Sequence, residues 1–173
     1  MTALPETPLL HSAISPDDDL PVATDAEIAA IVAAAHARGA RTLTLGSGRV
    51  PAAIATMNAV AAEWERGGGR IADRVTWPET AASWLRQARR FTTAATDLWV
   101  MTGPPLGWAQ MTRRLLWSTP WTAADTLLTA AITDPAALAL VGTVYLEGST
   151  GIDADGSVWT VGADGLLRPG AAR

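Results

Sequence analysis

Short apolar runs alternate along this chain with segments whose apolar residues return every three or four positions. The clearest unit is residues 41–64, RTLTLGSGRVPAAIATMNAVAAEW. Residues 43–45 read as a strand and Gly46-Ser47-Gly48 as a tight turn. Ile54, Met57, Val60, Ala61 and Trp64 then share one face of a helix. Gly67-Gly68-Gly69 leads straight into a second apolar run, residues 71–77. Two strands joined by a helix of this length run parallel, with a right-handed crossover.

The same grammar extends in both directions. Thr24 and Glu27 form a capping-box pattern ahead of a helix whose core face is Ile28, Ile31, Val32 and Ala35, with Gly39 placed to end it. Residues 9–14 read as a further strand, and Ser15-Pro16-Asp17-Asp18-Asp19 as a solvated loop. Downstream, the spacing predicts a helix over 79–91, a strand over 96–102 and a helix over 106–117. It then predicts a strand over 126–132, a short helix to 141 capped by Thr133-Asp134-Pro135, and a strand over 144–146. Residues 158–161, between two Asp-Gly turns, read as part of a small hairpin. The sum is an α/β fold: a three-layer α/β/α sandwich of flavodoxin-like type, with a mainly parallel sheet of about five strands. It reads as a single domain over 1–173, with its core in about 9–148 and a small C-terminal hairpin or irregular tail in 149–173.

Composition narrows the function. Nearly half of the 173 residues are apolar, and the net charge is −4, which gives no reason to expect nucleic acid as a partner. All thirteen basic residues are arginine, and there is no cysteine, so disulfides and thiolate chemistry are excluded. No run is long enough for a membrane span, and residues 1–15 lack a signal-peptide pattern, so the chain as given reads as cytoplasmic. Arg86, Arg89 and Arg90 on one helix read as a solvated face.

Known chemical motifs fit poorly. Gly46-Ser47-Gly48-Arg49 at a helix start suits a phosphate, but the dinucleotide fingerprint needs a glycine where Pro51 stands, and a P-loop needs a lysine. A hydrolase elbow is absent, and both histidines, His11 and His36, precede Ser47. Asp153-Ala154-Asp155-Gly156 reads as a turn, not a calcium loop. No metal and no cofactor is expected. The eight tryptophans are many for this length. Trp64, Trp84 and Trp108 belong to helix faces, whereas Trp77 at a strand end and Trp121 in a loop could pack in the core or wall a ligand.

The order of segments resembles the second lobe of type 1 periplasmic binding proteins, the branched-chain amino-acid class of ABC-transporter substrate-binding proteins. HSAISPDDD resembles the strand and Ser-Pro loop that lead into that lobe. ARTLTLGSGRVPAAIATMNAVAAEWERGGGRIADRVTWP resembles its first strand, helix, glycine link and second strand. TDLWVMTGPPLGWAQMTRRLLW resembles the next strand–helix pair, and DPAALALVGTVYLEGSTGIDADG the closing section. The first lobe and the return helix into it have no counterpart.

The resemblance implies a non-enzymatic binding or sensor domain for a small polar ligand such as an amino acid, and an extracytoplasmic setting. By position it nominates Ser15 near the hinge and, after successive strands, Ser47 and Arg49, Trp77, Thr102 and Gly103, and Thr133 and Asp134. A homodimer or a partner chain would supply the missing wall. Two other readings stay open: an interaction module built on the same lobe, and a flavodoxin-like enzyme using carboxylates such as Glu147 or Asp134.

Overall fold

The computed structural model describes residues 20–162 and 167–169; the strand expected over 9–14 and the loop holding Ser15 lie outside them. Among the described residues, seven strands form one sheet in the order β2-β1-β3-β4-β5-β6-β7. They are β1 (Thr42–Gly48), β2 (Arg70–Trp77), β3 (Leu98–Thr102), β4 (Thr126–Leu128), β5 (Thr150–Ile152), β6 (Val158–Val161) and β7 (Leu167–Pro169). The first five are parallel; β6 and β7 close the sheet as an antiparallel meander.

Five helices among the described residues cover the sheet: α1 (Asp25–Ala37), α2 (Pro51–Arg66), α3 (Leu85–Phe91), α4 (Pro105–Ser118) and α5 (Pro135–Val141). Two separate cores show which face each one takes. Ile31 of α1 and Val60 and Trp64 of α2 pack with Leu43, Leu45 and Val100 on one face. Phe91 of α3, Trp108 and Met111 of α4 and Leu138 of α5 pack with Trp77 and Met101 on the other. This is the expected three-layer sandwich. All seven residues of β1 are buried, as a central parallel strand with both faces covered requires.

Several boundaries differ from the sequence pattern, each for a local reason. Gly46-Ser47-Gly48 is not a turn; it is the last stretch of β1. Its glycines give room to neighbours: a Cβ on Gly46 would lie 2.7 Å from ring atoms of both Phe91 and Trp77. The chain instead turns at Arg49 and Val50, and Pro51 starts α2. The helix expected over 79–91 begins only at Leu85. Ahead of it, Glu79 accepts from the backbone N–H of Arg49 at 2.9 Å, and the Trp84 indole donates to the Pro78 carbonyl at 2.9 Å. Those bonds hold the loop in a non-helical path.

The strand expected over 126–132 stops at Leu128 and continues as a 3₁₀ turn, Ala130–Ile132. The strand expected over 144–146 is a second 3₁₀ turn, Thr143–Leu146, entered through Gly142 at φ 101°. Of its apolar residues only Leu146 is buried, while Val144 and Tyr145 face solvent. The fifth parallel strand is Thr150–Ile152, with the sequence TGI. Its Gly151 admits the Trp159 indole of β6, which would lie 2.0 Å from a Cβ there. Ile152, Trp159 and Val161 join the two cores, so the packed interior runs past residue 148.

Candidate functional site at the carboxyl rim of the sheet

The two central strands send their connections to opposite faces. The loop after β1 enters α2, in the layer of α1; the loop after β3 enters α4, in the other layer. Where neighbouring parallel strands diverge in this way a crevice opens at their carboxyl ends, the usual ligand position in open α/β sheets. Here it lies between Gly48–Val50 and Gly103–Pro104. Gly103 has φ 137°, and a Cβ on it would sit 2.8 Å from the backbone nitrogen of Gly48. Both loops can approach this closely only because both residues are glycine.

A row of hydroxyls crosses the strands just below the crevice. Ser47 and Thr102 are register partners on β1 and β3. Thr129, following β4, donates to Thr102 Oγ1 at 2.9 Å. All three are buried, at 0%, 3% and 1% exposure. Ser47 Oγ has no hydrogen-bond partner among the described residues, unusual for a fully buried hydroxyl.

Two carboxylates occupy backbone donors at the same rim. Glu27 Oε1 accepts from Ala130 N at 2.8 Å, while Thr24 Oγ1 accepts from Glu27 N at 3.1 Å. Thr24 thus caps α1 as the sequence suggests, and Glu27 ties the helix start to the turn after β4. Glu27 is 2% exposed, and burial pushes its carboxyl above the usual range despite the bond from the Ala130 amide. Glu79 lies over the crevice from the other layer, bonded to Arg49 N and filling the space beside Gly48 and Gly107. Because α2, α4 and α5 all begin at this rim, their unpaired first-turn amides make it a favourable place for acceptor groups.

The nominated residues divide clearly. Ser47, Thr102 and Gly103 meet at the crevice. Arg49 follows Ser47 by two residues but points its exposed side chain outward, toward the edge of the sheet. Thr133 and Asp134 lie beyond the 3₁₀ turn, and both side chains serve the backbone. Thr133 Oγ1 donates to Ala130 O at 2.9 Å, and Asp134 accepts from Ala136 N at 2.8 Å as the cap of α5. Trp77 is 0% exposed and packs edge-on against Phe91 with ring centres 6.5 Å apart, so its place is in the core beneath the rim. Trp121 is likewise core, at 5% exposure. Ser15 lies outside the described residues. Sequence reasoning missed Thr129, Glu27's second role and Glu79. Only the first carried a signal, an acceptor–donor residue directly after an apolar strand.

His36, at the far end of α1, stacks on Trp64 at 4.5 Å, at the opposite rim from these groups. Among the described residues, no group of three or more His, Asp and Glu is arranged to hold a metal ion. No helix among them is long and apolar enough to cross a membrane.

The fold is that of a single lobe of the periplasmic ligand-binding proteins of the branched-chain amino-acid transporter class. A substrate-binding periplasmic protein from Ralstonia solanacearum superposes with a TM-score of 0.64 at 13% identity, over 75% of this chain and 36% of that one. An extracellular ligand-binding receptor from Verminephrobacter eiseniae gives 0.61 at 20% identity, over 75% and 36%. A leucine-binding protein from Thermotoga maritima gives 0.58 at 18% identity, over 72% and 35%. The chain therefore spans about a third of the length of each of these structures. No protein-family model matches the sequence, and no curated protein sequence matches it.

Proposed function

We propose that this chain is a ligand-binding lobe: it offers one wall for a small polar molecule such as an amino acid and carries out no chemistry on it. The observation that carries the reading is the row Ser47–Thr102–Thr129 beneath the Gly48/Gly103 crevice, in which the buried Ser47 hydroxyl has no partner among the described residues. Its position is where a divided parallel sheet receives ligands. The likeness to lobes of proteins described as leucine-binding and ligand-binding supports the same reading. The Ralstonia protein's periplasmic description supports an extracytoplasmic setting. A single rim buries only one side of a ligand, so a second wall, from another lobe, a partner chain or a second copy, would be needed for tight binding.

The test is a titration of the chain with leucine and the other amino acids, followed by tryptophan fluorescence and by thermal shift. Trp77 packs against Gly46 one residue from Ser47, close enough to report on the rim. A saturable response to at least one amino acid is expected. Flat titrations across the series, with no change in melting temperature, would remove the reading. Light scattering in the same buffers then tells whether a second copy closes the site.

A further inference from the structure

Away from the rim crevice, the outer edge of the sheet carries a second feature that the ligand-binding reading leaves unused. β2 is the edge strand, paired only with β1 among the described residues. Against it lies a cleft of about 360 Å³ lined by Arg49, Arg74, Arg86, Arg90, Thr76 and Gln87, together with Val75. The four arginines come from three places: the loop after β1, β2 itself, and α3. In β2 successive side chains alternate between faces. Arg74 therefore approaches from the α2 side, where it reaches Glu65 at 3.5 Å, and the α3 arginines approach from the other side.

Among the described residues, carboxylates answer only two of the four arginines in this cleft. Arg90 is fixed by a two-pronged bond to Asp73, at 2.9 and 2.8 Å, which pins α3 against the strand. The bond also holds the Asp73 carboxyl below its usual range. Asp73 is thereby committed. Arg49 and Arg86 have no ion pair among the described residues, and Arg74 has only the long, exposed contact to Glu65. Arg86 and Arg90 stand one helical turn apart, a spacing at which like charges repel. Two arginines without an ion pair among the described residues, and a third held only by the long contact to Glu65, thus line one cleft in a chain whose net charge is −4.

We propose that this cleft binds a small multivalent oxyanion, a di- or tricarboxylate or a phosphate ester, held by the guanidinium forks of Arg49, Arg74 and Arg86 with Thr76 and Gln87 as neutral partners. The fork matches carboxylate and phosphate oxygens two at a time, and three forks suit an anion carrying two or more charges. The volume is that of a small-molecule site. The overall negative charge opposes an extended polyanion, which would meet repulsion beyond the cleft.

The experiment is calorimetric titration of the whole chain at low salt with inorganic pyrophosphate, citrate, inorganic phosphate and acetate. Saturable one-to-one binding of pyrophosphate or citrate is expected, at least about tenfold tighter than acetate. Which of the two binds more tightly distinguishes phosphate from carboxylate chemistry. Arg86→Gln and Arg49→Gln should each weaken the better probe about tenfold, the size of one charged hydrogen bond. Arg86→Lys, which keeps the charge but loses the fork, should recover only part of it. Arg113→Gln on α4, away from the cleft, should leave binding unchanged. Equal weakening by Arg113→Gln, full recovery by Arg86→Lys, no binding of any probe, or tighter binding of a DNA oligomer than of the small anions would each overturn the proposal. Amino-acid titrations of the rim are scored separately, so either site can fail without the other.

Discussion

Ser47 separates folding from binding at the level of one hydroxyl. It is fully buried and bonds to nothing described, so Ser47→Ala removes an unsatisfied group and should leave the urea midpoint unchanged or slightly raised. If the rim holds a ligand through it, the same substitution lowers affinity for the responding amino acid about tenfold, read in the fluorescence titration. Gly46 is the opposite case. Its neighbours Phe91 and Trp77 are both 0% exposed and cannot yield, so Gly46→Ala should cost about 1–3 kcal/mol by chemical denaturation. The sequence shows a Gly-Ser-Gly triplet and suggests a turn. It cannot show two aromatic rings arriving from residues 77 and 91, which is why the glycines were legible but their purpose was not.

Glu27 makes a prediction with a sign. Its carboxyl holds its proton to higher pH in the folded chain than in the unfolded one, because burial raises it above the ordinary value of 4.5. Between those two values the folded state binds more protons, so stability is full below 4.5 and falls as pH rises through the folded value. Asp73, Asp97 and Asp155 are shifted downward, so their effects fall below 3.8 and do not overlap this window. Urea midpoints measured from pH 4 to pH 8 should decline for the native chain and decline less for Glu27→Gln, which keeps an acceptor for Ala130 N. Glu27→Ala leaves the Ala130 amide unpaired and should cost about 1–3 kcal/mol at every pH.

At the scale of elements, caps and crossovers were readable because each is local. Thr24 and Glu27, and Asp134 and Pro135, act within a few residues of where they stand. Asp134→Ala should therefore cost about 1 kcal/mol, and Asp134→Asn much less, by thermal melting, since asparagine still caps. The elements misread were those decided by distant partners. The apolar stretch 144–146 has the composition of a strand, but the sheet at that point is completed by TGI, whose glycine makes way for Trp159. Likewise Glu79 and Trp84 look helical in sequence until Arg49 and Pro78 claim them. The candidate site was legible to the extent that it follows from strand ends: Ser47, Thr102 and Gly103 fell where parallel order puts them. Trp77 did not, because a strand's last residue can face a layer as easily as a crevice.

For the molecule as a whole, the position of β1 has a consequence measurable without any ligand in hand. It lies between β2 and β3 under helices on both faces. Its amides can meet solvent only when the sheet itself comes apart, whereas those of β7, at the far margin, can be released by local fraying. Among the strands, deuterium uptake should accordingly be slowest in peptides covering 42–48 and faster toward 167–169. Because both crevice loops hang from β1 and β3, a ligand seated between them would slow uptake along those two strands together. The increment would equal its contribution to global stability, making the central strands a meter for occupancy of a site they do not themselves expose.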